Sequence, residues 1–256
     1  MSKHILAAAI LAMVSATPTL AQQFNGGSVT GQYKQYDDDE FDLESFSFEG
    51  GVEIGLGDTF ALGGNVSVFE GSAFIEDQVT SATVHAMYMT SPDSAIGLFV
   101  SQDVSDFSDS TNYGIEAGAA SGATRIEGYY GVAEVDAFSD VDYTMAGFMF
   151  EVAFGNGFAA GLHYESYTVE DGVTVLATSD DEDLTIADTA VFLNYTIQGG
   201  PTLYAEYGEI EATFSNDGTD FIFENELEYF AIGARYALGR EGGNIFSDRT
   251  LIGFGG

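Results

Sequence analysis

The chain has no cysteine, so no disulfide stabilises its fold. It also has only 3 prolines and only 6 lysines and arginines among its 256 residues. The scarcity of proline favours long uninterrupted strands, because proline cannot donate a hydrogen bond to a β-ladder. The formal net charge is −35, and a chain with so few basic residues lacks the basic surface that nucleic-acid binding requires.

Long apolar runs are scarce as well. Beyond the N-terminal region, no stretch reaches the roughly 18 consecutive apolar residues that a transmembrane helix needs. Residues 1–21 have the pattern of a secretory signal peptide, with a basic Lys3, an apolar segment over residues 5–14, and a small residue, Ala21, at the predicted cleavage site. The mature chain therefore starts near Gln22, and the protein is either soluble and exported or crosses a membrane as β-strands.

The mature chain is rich in segments where apolar and polar residues alternate. Phe46 and Phe48, for example, share one face of a strand and Ser47 and Glu49 share the other, because side chains alternate along a strand. Most segments are about 9–13 residues long, which suits a tilted membrane-spanning strand better than the roughly 5–6 residues of an ordinary globular strand. The twelve segments span residues 28–36, 45–56, 59–70, 79–90, 95–103, 112–120, 123–134, 142–154, 158–169, 185–197, 202–213 and 227–238.

The connections between these segments alternate between short neutral turns and long acidic loops. The short turns lie at residues 57–58, 91–94, 121–122, 155–157 and 198–201. The long loops cover residues 37–44, 70–77, 103–109, 134–142, 170–183 and 217–226. They hold 26 of the 41 acidic residues and no lysine or arginine. This asymmetry is typical of an outer-membrane β-barrel, which has tight turns on the periplasmic side and long loops outside the cell.

Alternation alone does not show which face of the strands points outward. A soluble sandwich turns its apolar face inward, whereas a membrane barrel turns that face to lipid. Strand length and loop asymmetry favour the membrane barrel, and so does a group of aromatic residues near the short turns, where such a barrel has an interfacial girdle. These residues are Phe60, Tyr88, Phe154, Phe158 and Tyr236.

We therefore predict an all-β fold: a single antiparallel transmembrane β-barrel of about twelve strands over residues 22–238, with short periplasmic turns and long acidic extracellular loops. Residues 239–256 are predicted to form a C-terminal periplasmic tail or the end of the last strand, and a plug is a third interpretation. Glu209 and Glu211 share the parity of outward residues, so we expect them to lie above the hydrocarbon, where a charge costs little.

In this pattern of strands, turns and loops, the mature chain resembles Gram-negative outer-membrane porins, in particular the short porin-like proteins of marine alphaproteobacteria. The resemblance implies a barrel in the cell outer membrane through which small hydrophilic solutes pass by diffusion. It also implies contact with membrane lipid and lipopolysaccharide. Porins often form trimers, so a homo-oligomer is an open alternative to a monomer.

If the apolar faces meet lipid, the opposite faces line the interior. The predicted pore-lining residues are Glu49, Glu53, Glu116, Arg125, Glu127, Glu151, Glu165, Asp188, Glu206 and Arg235, with Lys34 near the rim. Arg125 and Glu127 share a face and are predicted to form an ion pair. Carboxylates outnumber bases in this set, so we expect a water-filled lumen with a weak preference for cations.

A closed barrel is the alternative to an open pore. Several bulky side chains are predicted to point inward, where a twelve-stranded barrel has little room: Phe69, Phe99, Tyr129 and Phe192. A closed or plugged barrel would be a structural or adhesive protein that acts through its acidic loops.

No catalytic residue is predicted. An outer-membrane lipid hydrolase would need a histidine near a serine on the outer wall, whereas His85 and His163 share the parity of inward positions. Two isolated histidines do not form a zinc ligand set either, and no cofactor is predicted. The acidic runs 37–40 and 180–183 are candidates for divalent cations, including cations that bridge to lipopolysaccharide, although neither has the ligand spacing of an EF-hand loop.

Overall fold

The computed structural model describes residues 22–37, 43–71, 78–106, 108–136, 142–170, 182–216, 219–222, 227–239 and 243–250. The predicted signal peptide and most residues of the predicted long loops lie outside these ranges, as does most of the two acidic runs proposed for divalent cations. Within the described ranges, no helix is long and apolar enough to cross a membrane.

The described residues form thirteen strands in one antiparallel sheet that closes into a barrel. The strands are β1 (Gln22–Asp37), β2 (Glu44–Leu56), β3 (Phe60–Glu70), β4 (Val79–Ser91), β5 (Ser94–Val104), β6 (Asp109–Ser121), β7 (Thr124–Val135), β8 (Asp142–Gly155), β9 (Phe158–Glu170), β10 (Glu182–Thr196), β11 (Thr202–Asn216), β12 (Thr219–Ile222) and β13 (Leu227–Gly239). Pairing of β1 with β13, from Gly26 opposite Gly239 to Asp37 opposite Glu228, closes the wall. The four-residue β12 pairs with the end of β11 only, so twelve strands form the wall, as predicted.

The apolar faces of the strands point outward. Phe48 on β2 and Leu98 on β5 are 57% and 61% exposed, whereas the inward-facing Glu53 and Ser101 on the same strands are buried. This arrangement is the reverse of a soluble sandwich and suits a wall surrounded by hydrocarbon. The orientation predicted from the sequence is therefore confirmed. The five aromatic residues predicted for the girdle all lie exposed on the outer wall.

The two ends of the barrel differ in their connections. The short turns meet at one end, called here the short-turn end, where β1 begins and β13 ends. The turn between β8 and β9 has three successive residues with positive φ, namely Gly155 at 95°, Asn156 at 56° and Gly157 at 84°. Glycine and asparagine are the residues that most readily adopt this conformation, so the sequence specifies a tight turn. The opposite end is called the long-loop end.

The loop predicted at residues 103–109 is shorter in the structure. Strand β5 continues to Val104, and Asp103 on it is fully buried inside the barrel. Its carboxylate accepts hydrogen bonds from Ser110 Oγ and Asn112 Nδ2 at 3.0 Å each. The sequence analysis placed Asp103 both at the end of the segment 95–103 and at the start of the loop 103–109. The structure places it in the strand, where Ser110 and Asn112 on β6 donate to its carboxylate.

The C-terminal segment is the main departure from the prediction. Strand β13 ends at Gly239, and residues 243–250, called here the inner tail, lie inside the barrel. Ile245 and Phe246 pack there in a buried cluster with Ala61, Met87 and Ala95. Neither the periplasmic tail nor the extended last strand describes these residues, which follow the plug interpretation. They fold inward because the inner wall offers them polar partners and a small apolar patch.

A second apolar cluster lies inside the half of the barrel towards the long-loop end. The rings of Tyr36 and Tyr229 lie 6.0 Å apart, and those of Phe99 and Tyr129 lie 6.1 Å apart. The cluster comprises Tyr36, Phe99, Met145, Tyr167, Ala190, Ile210, Tyr229 and Ala231. Inward-facing aromatic residues therefore narrow the interior, as the sequence predicted for Phe99 and Tyr129.

Candidate functional site in the barrel interior

All ten residues predicted to line a pore lie on the inner face of the wall, but they fall into separate groups. Six of them surround a cavity of about 210 Å³ together with His163, Phe192 and Ser247 of the inner tail. Those six are Glu49, Arg125, Glu127, Glu151, Glu206 and Arg235. The other four are Glu53 and Glu116, which contact the inner tail, and Glu165 and Asp188, which face each other on β9 and β10.

The cavity holds charges of both signs. Arg125 lies opposite Glu151 in the pairing of β7 with β8, and its Nη2 is 3.7 Å from Glu127 Oε2, which confirms the predicted ion pair. Glu151 also accepts a hydrogen bond from Asn194. The two arginines that line the cavity, Arg125 and Arg235, therefore share it with carboxylates from several strands.

A compact polar network lies on the inner wall next to the cavity, on β1, β9, β10, β11 and β13. The single O–H of Tyr229 is shared between two carboxylate acceptors, Asp188 Oδ1 at 2.8 Å and Glu206 Oε1 at 3.1 Å. Lys34 Nζ is 3.9 Å from Asp188 Oδ2 and also 3.9 Å from the centre of the Tyr229 ring. His163 Nε2 lies 3.6 Å from Asp188 Oδ1, and His163 Nδ1 lies 3.6 Å from Glu206 Oε2. Lys34 is buried in this network and does not lie at the rim, where the sequence placed it.

The inner tail runs along the other side of the interior, and its backbone is held by wall side chains. Ile245 N donates to Glu53 Oε2 at 3.2 Å. Arg125 Nη2 donates to the carbonyls of Asn244 and Ile245 at 3.1 and 3.2 Å. Farther along, Tyr167 Oη donates to the carbonyl of Thr250 at 2.5 Å. The inner tail thus crosses the interior from the short-turn end towards the long-loop end.

The side chains of the inner tail add charged contacts. The Asp248 carboxylate accepts hydrogen bonds from Ser67 and Thr83. Ser247 donates to Glu127 Oε1 through both its backbone N, at 3.2 Å, and its Oγ, at 3.1 Å. The guanidinium of Arg249 also binds Glu127. The Glu127 carboxylate on β7 therefore binds both Ser247 and Arg249 of the inner tail.

Arg249 is the most completely enclosed charge in the tail, with 2% of its surface exposed. Its Nη2 lies 3.2 Å from Glu116 Oε2 and donates to Glu127, while the guanidinium carbon lies 4.4 Å from the centre of the Tyr129 ring. His85 Nδ1 is 2.8 Å from the other oxygen of Glu116. Burial opposes the charge of Arg249, but the Glu127 and Glu116 carboxylates raise the pKa of its guanidinium above its ordinary value. Arg249 is therefore a cation held by two carboxylates and an aromatic face.

The sequence pattern supported a plug only as a third interpretation of residues 239–256, and it did not mark Asp103 on β5 as an interior acid. Asp248, Arg249 and Asp103 were not among the predicted pore-lining residues. The composition did give one indication of Arg249. The predicted interior has many carboxylates and few bases, which favours a basic residue from another part of the chain as their partner. No signal in the local pattern marks residues 243–250 as interior, because they lack strand periodicity.

The two histidines considered for catalysis are both inside the barrel. His85 is buried against Glu116, and His163 contacts Asp188 and Glu206. Neither lies on the lipid-facing wall, where an outer-membrane hydrolase would need it. Among the described residues, no group of three or more histidine or acidic side chains is arranged to hold a metal ion.

Comparisons with solved structures identify barrels of the same fold. The KdgM porin matches with a TM-score of 0.53 at 10% sequence identity, covering 82% of this chain and 98% of that one. KdgM in complex with disordered oligogalacturonate gives the same TM-score and coverage at 11% identity. The NanC porin matches with a TM-score of 0.57 at 11% identity, covering 81% of this chain and 98% of that one. No protein-family model and no curated protein sequence matches this chain.

These likenesses establish the fold. At 10–11% identity they show a closed antiparallel β-barrel and say nothing about which residues act on a solute.

Proposed function

We propose that the protein is an outer-membrane channel for the passive diffusion of small hydrophilic solutes, with a weak preference for cations. The observation that supports this proposal is a closed wall with an apolar outside and a charged, polar inside. A barrel that only anchored loops in the membrane would not require buried carboxylates such as Glu53 and Glu206, because an apolar interior avoids the free-energy cost of removing charges from water.

The preference for cations follows from the balance of charges inside. Ten carboxylates of the described residues face the interior or the inner tail, against four lysines and arginines. The carboxylates are Glu49, Glu53, Asp103, Glu116, Glu127, Glu151, Glu165, Asp188, Glu206 and Asp248. Fixed negative charge in a narrow aqueous path attracts cations and repels anions.

The inner tail would make this channel narrow. It occupies the side of the interior lined by β3 to β7, so that the cavity of about 210 Å³ is the space next to it. A path through that cavity passes Arg125 and Arg235 as well as the carboxylates, which is why we expect a weak cation preference. Lipid and lipopolysaccharide would surround the outer wall, and a homo-oligomer remains compatible with it.

A closed barrel is the second candidate, and a specific observation favours it. The inner tail and the cluster around Tyr36, Phe99 and Tyr229 together fill much of the interior. In that case the long loops would carry the function, as in an adhesive or structural outer-membrane protein, and divalent cations bound by those loops would fit that role.

Planar-bilayer recording of the full mature chain tests the proposal. We expect small single-channel steps and, across a potassium chloride gradient, a reversal potential with the sign of cation preference. Glu206→Gln should weaken that preference, because Glu206 lines the cavity. Glu134→Gln is the matched control, since Glu134 lies exposed on the outer wall and bonds to Tyr113 there.

The outcomes separate the candidates. Anion preference in the full chain would refute cation selectivity. An equal effect of the two substitutions would show that the lumen carboxylates do not set selectivity. Absence of current in the full chain and also in a variant with a weakened inner tail would favour the closed barrel.

A further inference from the structure

The inner wall contains a pocket built around a guanidinium group. We propose that Glu116, Glu127 and Tyr129 form a binding site for guanidinium-bearing cations, which Arg249 occupies in this structure and which free solutes of the same chemistry compete for. The inference rests on the proposed function in one respect, namely that a solute reaches the site through the lumen.

The chemistry of the site matches a guanidinium better than an ammonium ion. Carboxylates from two adjacent strands, Glu116 on β6 and Glu127 on β7, approach the same Nη2 of Arg249. Tyr129 places its ring 4.4 Å from the guanidinium carbon. A planar cation with several N–H donors satisfies two carboxylates and stacks on an aromatic face at once, whereas the compact ammonium of lysine does not stack in this way.

A neighbouring histidine holds one of these carboxylates in place. His85 Nδ1 lies 2.8 Å from Glu116 Oε1, which leaves Oε2 directed at Arg249 at 3.2 Å. Both His85 and Glu116 are buried. The carboxylate is therefore oriented by the wall itself before any cation arrives.

The inner wall also has a groove in which the segment that carries Arg249 lies. A Cβ atom on Gly51 would collide with the side chain of Asn244. One on Gly118 would lie 2.9 Å from Ile245 Cγ2 and 3.0 Å from Phe246 Cε1. Glycine at these inward positions gives the tail a groove along the wall, so the guanidinium site is reached by a chain lying in that groove.

The contacts of the tail are of a kind that water can replace. Apart from Ile245 and Phe246, the inner tail is held by hydrogen bonds and ion pairs to groups that would be hydrated in an open lumen. Removal of the tail would thus expose little apolar wall, and the two carboxylates would be left without the cation that compensates them. A soluble guanidinium compound is the ligand that restores that compensation.

Chemical rescue of the full-length chain tests the site. Arg249→Ala leaves Glu116, Glu127 and Tyr129 in place without their cation. We expect ethylguanidinium at millimolar concentration to bind this variant, measured by calorimetry in detergent, and to raise its unfolding temperature with concentration. Ethylammonium chloride at the same concentration controls for charge and ionic strength and should have a clearly smaller effect.

A matched pair of second substitutions locates the binding. Glu127→Gln added to Arg249→Ala should weaken ethylguanidinium binding by about tenfold or more, because charge-assisted hydrogen bonds are lost. Asp188→Asn should leave it unchanged, since Asp188 is equally buried but contacts Lys34, His163 and Tyr229 and is not among the residues that line the cavity. Equal binding of the two cations, or equal effects of the two carboxylate substitutions, would overturn the proposal.

A second measurement does not depend on how the alanine variant folds. Ile245→Cys introduces the only thiol of the chain, at a position of the tail that is 5% exposed and packs against the wall. With Arg249 intact, ethylguanidinium should compete for the site and raise the rate at which a polar thiol reagent labels this cysteine, whereas ethylammonium should not. An unchanged labelling rate together with no rescue refutes the site. Rescue or competition without any bilayer current would support the guanidinium site and refute the channel. Bilayer current without rescue or competition would support the channel and refute the guanidinium site.

Discussion

Glu127 is the wall residue on which docking of the inner tail depends most, and its substitution gives a quantitative prediction. Its Oε1 accepts hydrogen bonds from Arg249 Nη2, Ser247 N and Ser247 Oγ. Glu127→Gln keeps the shape of the side chain but removes its charge. A hydrogen bond to a charged group contributes about 1.5–3 kcal/mol and a neutral one about 0.5–1.5, so the loss is roughly 1 kcal/mol for each bond.

Three such bonds give a loss of about 3 kcal/mol in the free energy of docking, if they add. Since about 1.4 kcal/mol corresponds to a factor of ten, the undocked population of the tail should rise on the order of 100-fold. The single cysteine at position 245 reports this population, because its labelling rate follows the fraction of molecules in which it is uncovered when docking is fast. The expected result is a labelling rate that is higher by roughly two orders of magnitude.

The control is Glu206→Gln in the same cysteine background. Glu206 is buried to a similar degree, at 8% exposure against 5% for Glu127, and it touches Tyr229 and His163 but no described residue of the tail. Its substitution should leave the labelling rate unchanged. A rate in Glu127→Gln equal to that of the parent, or an equal rise in both variants, would refute the assignment of Glu127 as the anchor of the tail.

Two further predictions concern the wall. Gly161→Val should destabilise the folded barrel by about 1–3 kcal/mol through overpacking, because its Cβ would collide with the Phe150 carbonyl and the Phe192 ring. Gly31→Val should not destabilise the barrel, because the space around the Gly31 Cβ position is open. Unfolding in detergent, measured by circular dichroism, compares the two variants, and equal stabilities would contradict this packing. Leu98→Arg should oppose insertion into lipid vesicles by about 2–4 kcal/mol, while Leu98→Ala should have a smaller effect, and equal insertion yields would argue against a lipid-facing Leu98.

The wall of the barrel could be predicted from the sequence because its information is local. Alternation with period 2 fixes which side of a strand each residue occupies once the outward face is known. Glu209 illustrates this, since it lies exposed on the outer wall and pairs with Glu228 on β13. Glu228 in turn pairs with Asp37, the last residue of β1. Glu209 therefore lies near the long-loop end, as predicted. The bounds of β2, β4 and β9 differ from the predicted ones by a residue or two at most.

The interior could not be predicted to the same depth because its contacts join distant parts of the chain. Arg249 binds residues more than 120 positions away, and nothing near it in the sequence identifies Glu116 or Glu127 as partners. Parity places both carboxylates inside but does not show that one cation satisfies them together. The inward position of Asp103 was missed for a related reason, since its partners Ser110 and Asn112 lie on the next strand.

The position of the inner tail has a consequence for the order of assembly. Its partners lie on β2, β3, β4, β6, β7 and β9, from Glu53 to Tyr167, so its docking surface exists only after those strands have paired. Contacts of such long sequence separation form late, because the loops they close carry the largest entropic cost. Residues 243–250 can therefore settle only after the strands from β2 to β9 have paired, and a defect in those strands would leave them in solvent, open to proteases.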